Sequence, residues 1–321
     1  MNYEAVMKRL YGIGIIPAIV LDRTEDAAPL ADALCKGGLP AAEVTYRTDC
    51  AHDAMKAMKA QRPELIVGAG TVLTTDQVDS ALDAGAEFIV APGLNPEVVR
   101  YCQKKGVPVI PGVSSASEIE QAISLGLSAV KFFPAEQLGG IKTIKALCGP
   151  YRNMTFLPTG GVNPANMNSY LNDPKVFAVG GTWMVKQELI KNGQFDEIEK
   201  LTREAVLNML QIRLKHIGVN IPSGEARDAA DQYADLFQGK VRVAPTAFFG
   251  SEFVEVVPDG TIGEKGHIAI GVSSAERAYA FYRGLGYEFD ESTFGYDERG
   301  HLRLAYFKES VGGFKVHIVN N

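Results

Sequence analysis

Eight short apolar segments recur along the first two thirds of the chain, and this rhythm constrains the fold more than any other feature. They lie at residues 15–20, 41–46, 65–70, 88–93, 108–113, 129–134, 156–161 and 176–181. Each is mainly apolar along its length instead of alternating with polar residues, as expected of strands buried on both faces. Amphipathic stretches with helical spacing separate them. Eight strand–helix units in about 200 residues predict an α/β fold of the (β/α)8 TIM-barrel type.

A doubly wound open sheet is the alternative architecture for alternating strands and helices. It requires a point at which the strand order reverses, and the segments give no sign of one. Near residue 194 the rhythm changes to a single long helical stretch. A chain of 321 residues is long for one domain, so we place a boundary after this helix. The predicted domains are a barrel at residues 1–210 and a second domain at 211–321.

The second predicted domain contains an internal repeat. In the first copy, a strand beginning at His216 and a helix at 225–237 precede a strand at 253–257. In the second copy, a strand beginning at His267 and a helix precede a strand at 314–319. We therefore predict an α+β domain of two paired βαβββ units. Duplicated units normally pair around a pseudo-twofold axis, with a shared cleft between them.

The composition argues against several classes of function. The net charge is −6 and Lys and Arg form no block, which argues against nucleic-acid binding. No segment approaches about 18 uninterrupted apolar residues, so we expect no membrane span and no secretory leader. The four cysteines lie far apart without metal-ligand spacing. They are expected to be reduced thiols of a cytoplasmic protein.

Lys131 is the one charged residue in the sixth apolar segment. An isolated charge is costly in a buried strand, so a lysine without a counter-charge there is expected to lose its proton. A neutral amine is a nucleophile that condenses with a ketone. The alternatives are a lysine that extends to solvent at a strand end and a structural ion pair.

Other polar residues lie on or just after predicted strands, where parallel barrels carry their catalytic groups. They are Glu43, Arg47, Thr71 and Thr159, and Pro92 closes the fourth predicted strand. Glu43 is the candidate for moving protons, although a plain ion pair with Lys131 or Arg47 is the alternative. Arg47 can hold a substrate carboxylate with two donors, and the threonines can donate hydroxyl hydrogen bonds.

Two glycine pairs follow the last two predicted strands. They are Gly160 with Gly161, and Gly180 with Gly181, which Thr182 follows. Glycine lets backbone N–H groups approach an anion, and a helix that follows adds its positive end. Turns also use glycine pairs freely. Because loops seven and eight are the usual phosphate site of barrels, we predict a phosphate site here.

The motifs at residues 42–48, 68–73, 91–93, 130–136 and 157–162 resemble those of one enzyme family. It is the 2-dehydro-3-deoxy-6-phosphogluconate (KDPG) and 4-hydroxy-2-oxoglutarate (KHG) aldolase family, and the resemblance covers the whole predicted barrel. It implies a class I lyase that uses no cofactor. The implied reaction cleaves KDPG, a phosphorylated 2-oxo sugar acid, to pyruvate and glyceraldehyde 3-phosphate. KHG, which yields pyruvate and glyoxylate, is an implied second substrate.

The resemblance also implies roles for the residues already singled out. Lys131 would be the Schiff-base lysine and Glu43 the proton shuttle. The remaining implied contacts are Arg47 and Thr71 with the pyruvyl carboxylate, Pro92, Phe133 and Thr159 along the pocket, and Gly160, Gly161, Gly180, Gly181 and Thr182 with the phosphate. The family is often a homotrimer, so a homo-oligomer is expected. Two departures occur, because Thr182 replaces a common serine and Ser115-Ala116 replaces a common Thr-Pro.

In the second domain, four candidate metal ligands occupy equivalent positions in the two copies of the repeat. His216 and His267 begin equivalent strands, and Glu255 and His317 occupy equivalent closing strands. Four N and O ligands would suit a divalent Zn, Ni, Co, Mn or Fe ion. This region resembles the vicinal-oxygen-chelate (glyoxalase-like) superfamily, whose common last ligand is Glu and not His. Half-buried strand histidines without a metal are the alternative.

Two functions of different classes remain open from the sequence. The first is a class I aldolase with a separate metal or ligand site in the second domain. The second is a ligand-responsive binding protein in which the barrel is degenerate and the C-terminal cleft carries the main activity.

Overall fold

The structure, a computed structural model, describes residues 3–260 and 262–321. The chain forms two compact units, Met1–Met209 and Leu210–Asn321. No helix in the described parts of the chain is both long enough and apolar enough to cross a membrane.

Strands and helices alternate through the first unit. Its strands are β1 (Ile15–Ile19), β2 (Ala41–Thr45), β3 (Ile66–Gly70), β4 (Phe88–Val90), β5 (Val109–Ile110), β6 (Gly112–Val113), β7 (Ala129–Phe132), β8 (Thr155–Pro158) and β9 (Val179–Gly181). Its helices are α1 (Tyr3–Ile13), α2 (Ala27–Lys36), α3 (Ala51–Gln61), α4 (Thr75–Asp83), α5 (Pro96–Lys105), α6 (Ala116–Ser124), α7 (Gly140–Cys148), α8 (Met167–Leu171), α9 (Gln187–Lys191) and α10 (Phe195–Leu210). The long helix predicted near residue 194 is α10.

The strands of the first unit pair in parallel in two sheets. One has the order β5-β4-β3-β2-β1-β9, and the other is β6-β7-β8. The bridge between Thr159 and Gly180 joins the end of β8 to β9. The order contains no reversal of the kind that a doubly wound sheet requires.

The predicted fifth strand is divided at Pro111. A proline has no N–H to donate, and here it separates β5, which pairs with β4, from β6, which pairs with β7. Its carbonyl still accepts a hydrogen bond from the Lys131 backbone N–H at 2.9 Å. The chain therefore passes from one sheet to the other within a single predicted strand.

The core of the first unit draws residues from both sheets. Ile16, Ile66, Phe88 and Leu157 belong to one cluster and are fully buried. Leu10 of α1 joins the same cluster, so this helix packs against the strands. The sequence analysis did not predict α1, whose apolar positions complete the core.

The second unit is one sheet of two similarly ordered halves. Its strands are β10 (Arg213–Ile221), β11 (Arg242–Val243), β12 (Phe248–Phe249), β13 (Val254–Pro258), β14 (Gly266–Val272), β15 (Phe289–Tyr296), β16 (Leu302–Val311) and β17 (Phe314–Asn320). Its helices are α11 (Ser223–Leu236) and α12 (Ala275–Gly284). The strand order is β11-β12-β13-β10-β14-β17-β16-β15, with β10 and β14 antiparallel at the centre.

Helix α11 covers one face of this sheet near its centre. Val219 and Val256 pack with Ala226 and Ala230 of α11. Side chains alternate along a strand, so the neighbours of these valines, including Glu255, point to the opposite face.

Candidate active site and candidate metal centre

Lys131 and Glu43 meet across the interior of the first unit, although their strands belong to different sheets. Lys131 Nζ lies 3.2 Å from Glu43 Oε1, and the two residues are 6% and 1% exposed. Lys131 therefore has a counter-charge, as in the ion-pair alternative, and the condition of an unpaired lysine is not met. The catalytic roles of the two residues stay predictions. The pairing also places an acid/base group directly against a nucleophile. Within the described residues, Glu43 Oε2 has no hydrogen-bond partner.

Gly70 provides the space that the Glu43 carboxylate occupies. A Cβ at position 70 would lie 2.4 Å from Glu43 Oε1. The sequence analysis quoted this glycine in a motif without recognising its role. The available signal in the sequence was a glycine at the carboxyl end of the strand that follows the strand of Glu43.

Arg47 and Thr71, predicted as carboxylate ligands, are brought together. Arg47 Nε donates to Thr71 Oγ1 at 3.3 Å. Thr71 has a positive φ of 57°. A β-branched residue rarely adopts this conformation, which costs about 1–3 kcal/mol and is concentrated at functional sites.

Pro92 and Phe133 lie next to the lysine strand. A Cβ on Gly112 would lie 2.0 Å from the Pro92 carbonyl oxygen, and Gly112 pairs in register with Lys131. The Phe133 ring centroid lies 5.5 Å from Lys131 Nζ. Both predicted pocket residues therefore lie near the amine or its neighbouring strand.

Thr159 and the two glycine pairs come together at the ends of β8 and β9. Thr159 is buried, and a Cβ on Gly180 would lie 2.2 Å from its hydroxyl oxygen. Gly160 and Gly161 have positive φ values of 98° and 79°, which glycine adopts readily. Thr182 is exposed directly after β9.

The helices that follow the glycine pairs differ from the prediction. α8 and α9 have only five residues each, and they begin at Met167 and Gln187. Neither begins directly after the glycines, so the backbone N–H groups of the loops are the available anion donors. The sequence analysis also missed Asn163 and Asn166, whose side-chain amides donate to the Gly161 carbonyl at 3.1 Å each. Asparagine soon after a glycine pair was the available signal, because asparagine side chains bond nearby backbone groups.

Three histidines and a glutamate lie close together in the second unit. Ligand nitrogens of His216, His267 and His317 all lie within 4.8 Å of one another. Glu255 Oε2 lies 3.0 Å from His216 Nε2 and 3.1 Å from His267 Nε2. The structure therefore brings together all four residues predicted as ligands, which lie on β10, β13, β14 and β17.

The electrostatics of this cluster suit cation binding. Burial would raise the pKa of Glu255, but hydrogen bonds from His216 and His267 lower it to about 2. Burial, with the nearby charges of His267 and His216, lowers the pKa of His317 to about 3. At neutral pH the cluster thus offers a carboxylate and a neutral imidazole, the forms that bind metals. The set of three nitrogens and one oxygen fits a divalent transition metal.

Gly218 allows the His267 ring to lie against the sheet. A Cβ at this position would lie 2.1 Å from His267 Cε1. The glycine is the register partner of both Glu255 and His267, so it separates two of the candidate ligands.

Comparison with known proteins gives relatives for the first unit. The family model described as KDPG and KHG aldolase matches residues 6–201. The 2-dehydro-3-deoxy-phosphogluconate aldolase of Haemophilus influenzae is 46% identical over 208 residues, which cover 64% of this chain and 98% of that protein. The KHG/KDPG aldolase of Escherichia coli is 44% identical over 192 residues, covering 60% and 90% of the two chains.

A solved structure agrees with these relatives. The KDPG aldolase of Legionella pneumophila, with pyruvate captured as a covalent carbinolamine intermediate, is 40% identical with a TM-score of 0.60. The match covers 62% of this chain and 97% of that one.

Proposed function

The chain belongs to the KDPG and KHG aldolase family, and on this basis we propose that its first unit is a class I aldolase. Its reaction is the cleavage of KDPG to pyruvate and glyceraldehyde 3-phosphate, with KHG as a second substrate that yields glyoxylate. The observation that carries this proposal is the buried contact between Lys131 Nζ and Glu43 Oε1.

The chemistry begins with Lys131. Its amine attacks the C2 carbonyl of the 2-oxo acid to form a carbinolamine, which loses water to give an iminium ion. When the C4 hydroxyl gives up its proton, the electrons of the C3–C4 bond move toward the iminium nitrogen. The aldehyde leaves, and an enamine remains on the lysine. Protonation at C3 followed by hydrolysis releases pyruvate and restores the amine.

Glu43 is placed to move the protons in these steps. It accepts the proton of the Lys131 ammonium and gives it to the carbinolamine hydroxyl, which leaves as water. It then accepts the proton of the C4 hydroxyl and returns it to C3 of the enamine. Its second oxygen, which has no partner among the described residues, is available for a substrate hydroxyl.

The remaining site residues are assigned by the groups they offer. The Arg47 guanidinium and the Thr71 hydroxyl bind the substrate carboxylate. Pro92, Phe133 and Thr159 line the pocket. The backbone of the two glycine pairs and the Thr182 hydroxyl hold the phosphate.

The proposal also covers the closure of the barrel, the oligomeric state and the cellular location. We propose that its two sheets form a closed (β/α)8 barrel, because β5 and β6 are divided only by Pro111 and a bridge joins β8 to β9. Assembly as a homotrimer is proposed from the family. A cytoplasmic location is proposed from the free state of all four cysteines.

Trapping with borohydride tests the Schiff base. Incubation with pyruvate and borohydride should leave a stable adduct that peptide mass spectrometry assigns to Lys131. Lys131→Ala should abolish both the adduct and KDPG cleavage. Lys142→Ala, which removes an exposed lysine from α7, should change neither. Full activity in a folded Lys131→Ala protein would refute the proposal.

For the second unit we propose a vicinal-oxygen-chelate-like domain that holds a divalent metal. The paired halves of the sheet and the four converging ligands support this assignment. His216, His267, His317 and Glu255 would hold the ion, which supplies a Lewis acid for a chelating ligand.

Metal analysis tests this second proposal. The purified chain, dialysed against Zn²⁺, should retain about one ion, and His216→Ala should retain it more weakly because one of the four ligands is gone. His301→Ala, which removes a histidine elsewhere in the same unit, should retain the ion. Equal metal content in all three proteins would contradict the assignment.

The alternative of a binding protein with a degenerate barrel has no supporting observation. The buried contact between Lys131 and Glu43 argues against a degenerate barrel. Such pairs are often less stabilising than apolar side chains of similar volume, so stability alone does not explain this pair.

A further inference from the structure

A cleft of about 1120 Å³ lies in the second unit, and His216 forms part of its wall. Its lining is strongly cationic. The cations are Arg213, Lys215, Lys240, Arg242 and Arg303, against a single acidic side chain, Glu252, among the described lining residues.

These five cations lack the ion pairs that other cations of the unit have. Arg227 and Lys308 lie 2.9 and 2.8 Å from carboxylate oxygens. Within the residues that the structure describes, no carboxylate lies within 4.0 Å of any of the five. Five uncompensated charges of one sign repel one another, although the chain as a whole is acidic. Such an arrangement favours the binding of anions.

Arg242 is held in place beside the candidate metal centre. The centre of its guanidinium lies 3.8 Å from the centroid of the Phe249 ring. The same ring makes an edge contact with the His216 ring, at 5.8 Å between centroids. A guanidinium stacked on an aromatic ring loses less freedom when it binds a ligand, so Arg242 is preorganised.

Arg213 also lines the cleft and is held by a hydrogen bond. Its Nε donates to Asn321 Oδ1 at 2.7 Å. A Cβ on Gly271 would lie 2.4 Å from this amide oxygen, so the glycine makes room for the pair. Two arginines are therefore oriented by neutral groups, which leaves their charge available to a ligand.

We propose that this cleft binds a small organic acid with at least two negative charges, such as a dicarboxylate or a phosphorylated acid. An oxo-acid end chelates the metal at His216, and the distal anion lies among the arginines. The orientation of the ligand rests on the metal site proposed above, whereas the attraction of the anion does not.

The test uses the full-length Lys131→Ala chain, so that no ligand reacts in the first unit. The protein is loaded with Co²⁺, whose visible absorption reports on its ligands, and is titrated with 2-oxoglutarate or pyruvate. The two acids share the chelating group, and only 2-oxoglutarate has a second carboxylate. We expect 2-oxoglutarate to change the Co²⁺ spectrum with an affinity about tenfold or more above that of pyruvate, because charged hydrogen bonds add to chelation.

The double variant Arg242→Ala/Arg303→Ala should remove this preference. Arg299→Ala, which deletes an exposed arginine that does not line the cleft, should keep it. The preference should also weaken at high salt. A preference that is unchanged in the double variant would overturn the proposal and leave the metal site intact.

Absence of a Co²⁺ spectrum would instead refute the metal site. Calorimetric titration of the metal-free Lys131→Ala protein with 2-oxoglutarate then shows whether the arginines of the cleft bind the anion. A binding event that disappears in the double arginine variant supports the anion site. Identical heats with and without these arginines overturn it.

Discussion

At the scale of single residues, the proposed chemistry rests on the contact between Lys131 and Glu43. Glu43→Gln keeps the shape of the side chain but removes the proton acceptor. We expect kcat to fall by about 10²–10⁴-fold, the usual contribution of a positioned acid/base group. The exchange of pyruvate methyl protons in D2O, followed by NMR, should slow by a similar factor because it needs the same group.

A matched variant separates this effect from a general loss of charge. Glu204→Gln removes an exposed carboxylate from α10 and should leave both rates unchanged. If Glu43→Gln exchanged pyruvate protons at the normal rate, another group would have to be the base.

Two cysteines illustrate how burial controls reactivity. Burial raises the pKa of Cys102 and of Cys35 to about 12. A raised pKa leaves the thiol neutral, so only about one molecule in 10⁴ carries the reactive thiolate at pH 8. Iodoacetamide at pH 8 should therefore spare both residues in the native protein, and it should label both after unfolding in denaturant. Peptide mass spectrometry measures this, and rapid native labelling of Cys102 would contradict it.

At the scale of elements, β3 supplies the space for the glutamate of β2. Gly70→Ala would place a methyl group 2.4 Å from the present position of Glu43 Oε1, so the carboxylate must move. A displacement of about 1 Å in a catalytic group can cost about 10²-fold, and we expect a loss of this size mainly in kcat. Steady-state kinetics with KDPG measure the effect. Gly224→Ala, at a position with open space around it, is the control and should keep full activity.

At the scale of the whole molecule, the two units should depend on metal differently. The aldolase chemistry assigned to Lys131 and Glu43 uses no metal. The ion proposed for the second unit would stabilise that unit, because it binds the folded state and not the unfolded one. A chelator should therefore leave KDPG turnover unchanged and lower the melting temperature of the C-terminal unit. Calorimetry and turnover on the same sample measure both effects. A parallel loss of turnover would show that the activities are not independent.

The strands of the first unit were predictable because their apolar runs are a local signal. Seven of the predicted segments overlap β1–β4 and β7–β9, although β4 and β8 end three residues earlier than predicted and β9 begins only at Val179. The division of the fifth strand at Pro111 was not predictable from its apolar run. It depends on the pairing of β5 with β4 and of β6 with β7. The lysine was recognised from its segment, but its partner lies 88 residues away in sequence.

The repeat made the four candidate ligands predictable one by one. The stack of Arg242 on Phe249 was not, because β11 and β12 are strands of two residues that carry no periodic pattern. Local periodicity predicts elements, and it gives no distance between side chains on short strands and loops.

The sequence by itself determined most of the strands and helices of the first unit, the presence of two units and the residue types available for chemistry. These follow from apolar spacing and from motifs that each lie within a few residues. Only the tertiary structure decided that Glu43 lies against Lys131, that Gly70 makes room for it, and that five cations share a cleft with His216. Such contacts join residues far apart in the chain, and their distances depend on how whole sheets pack.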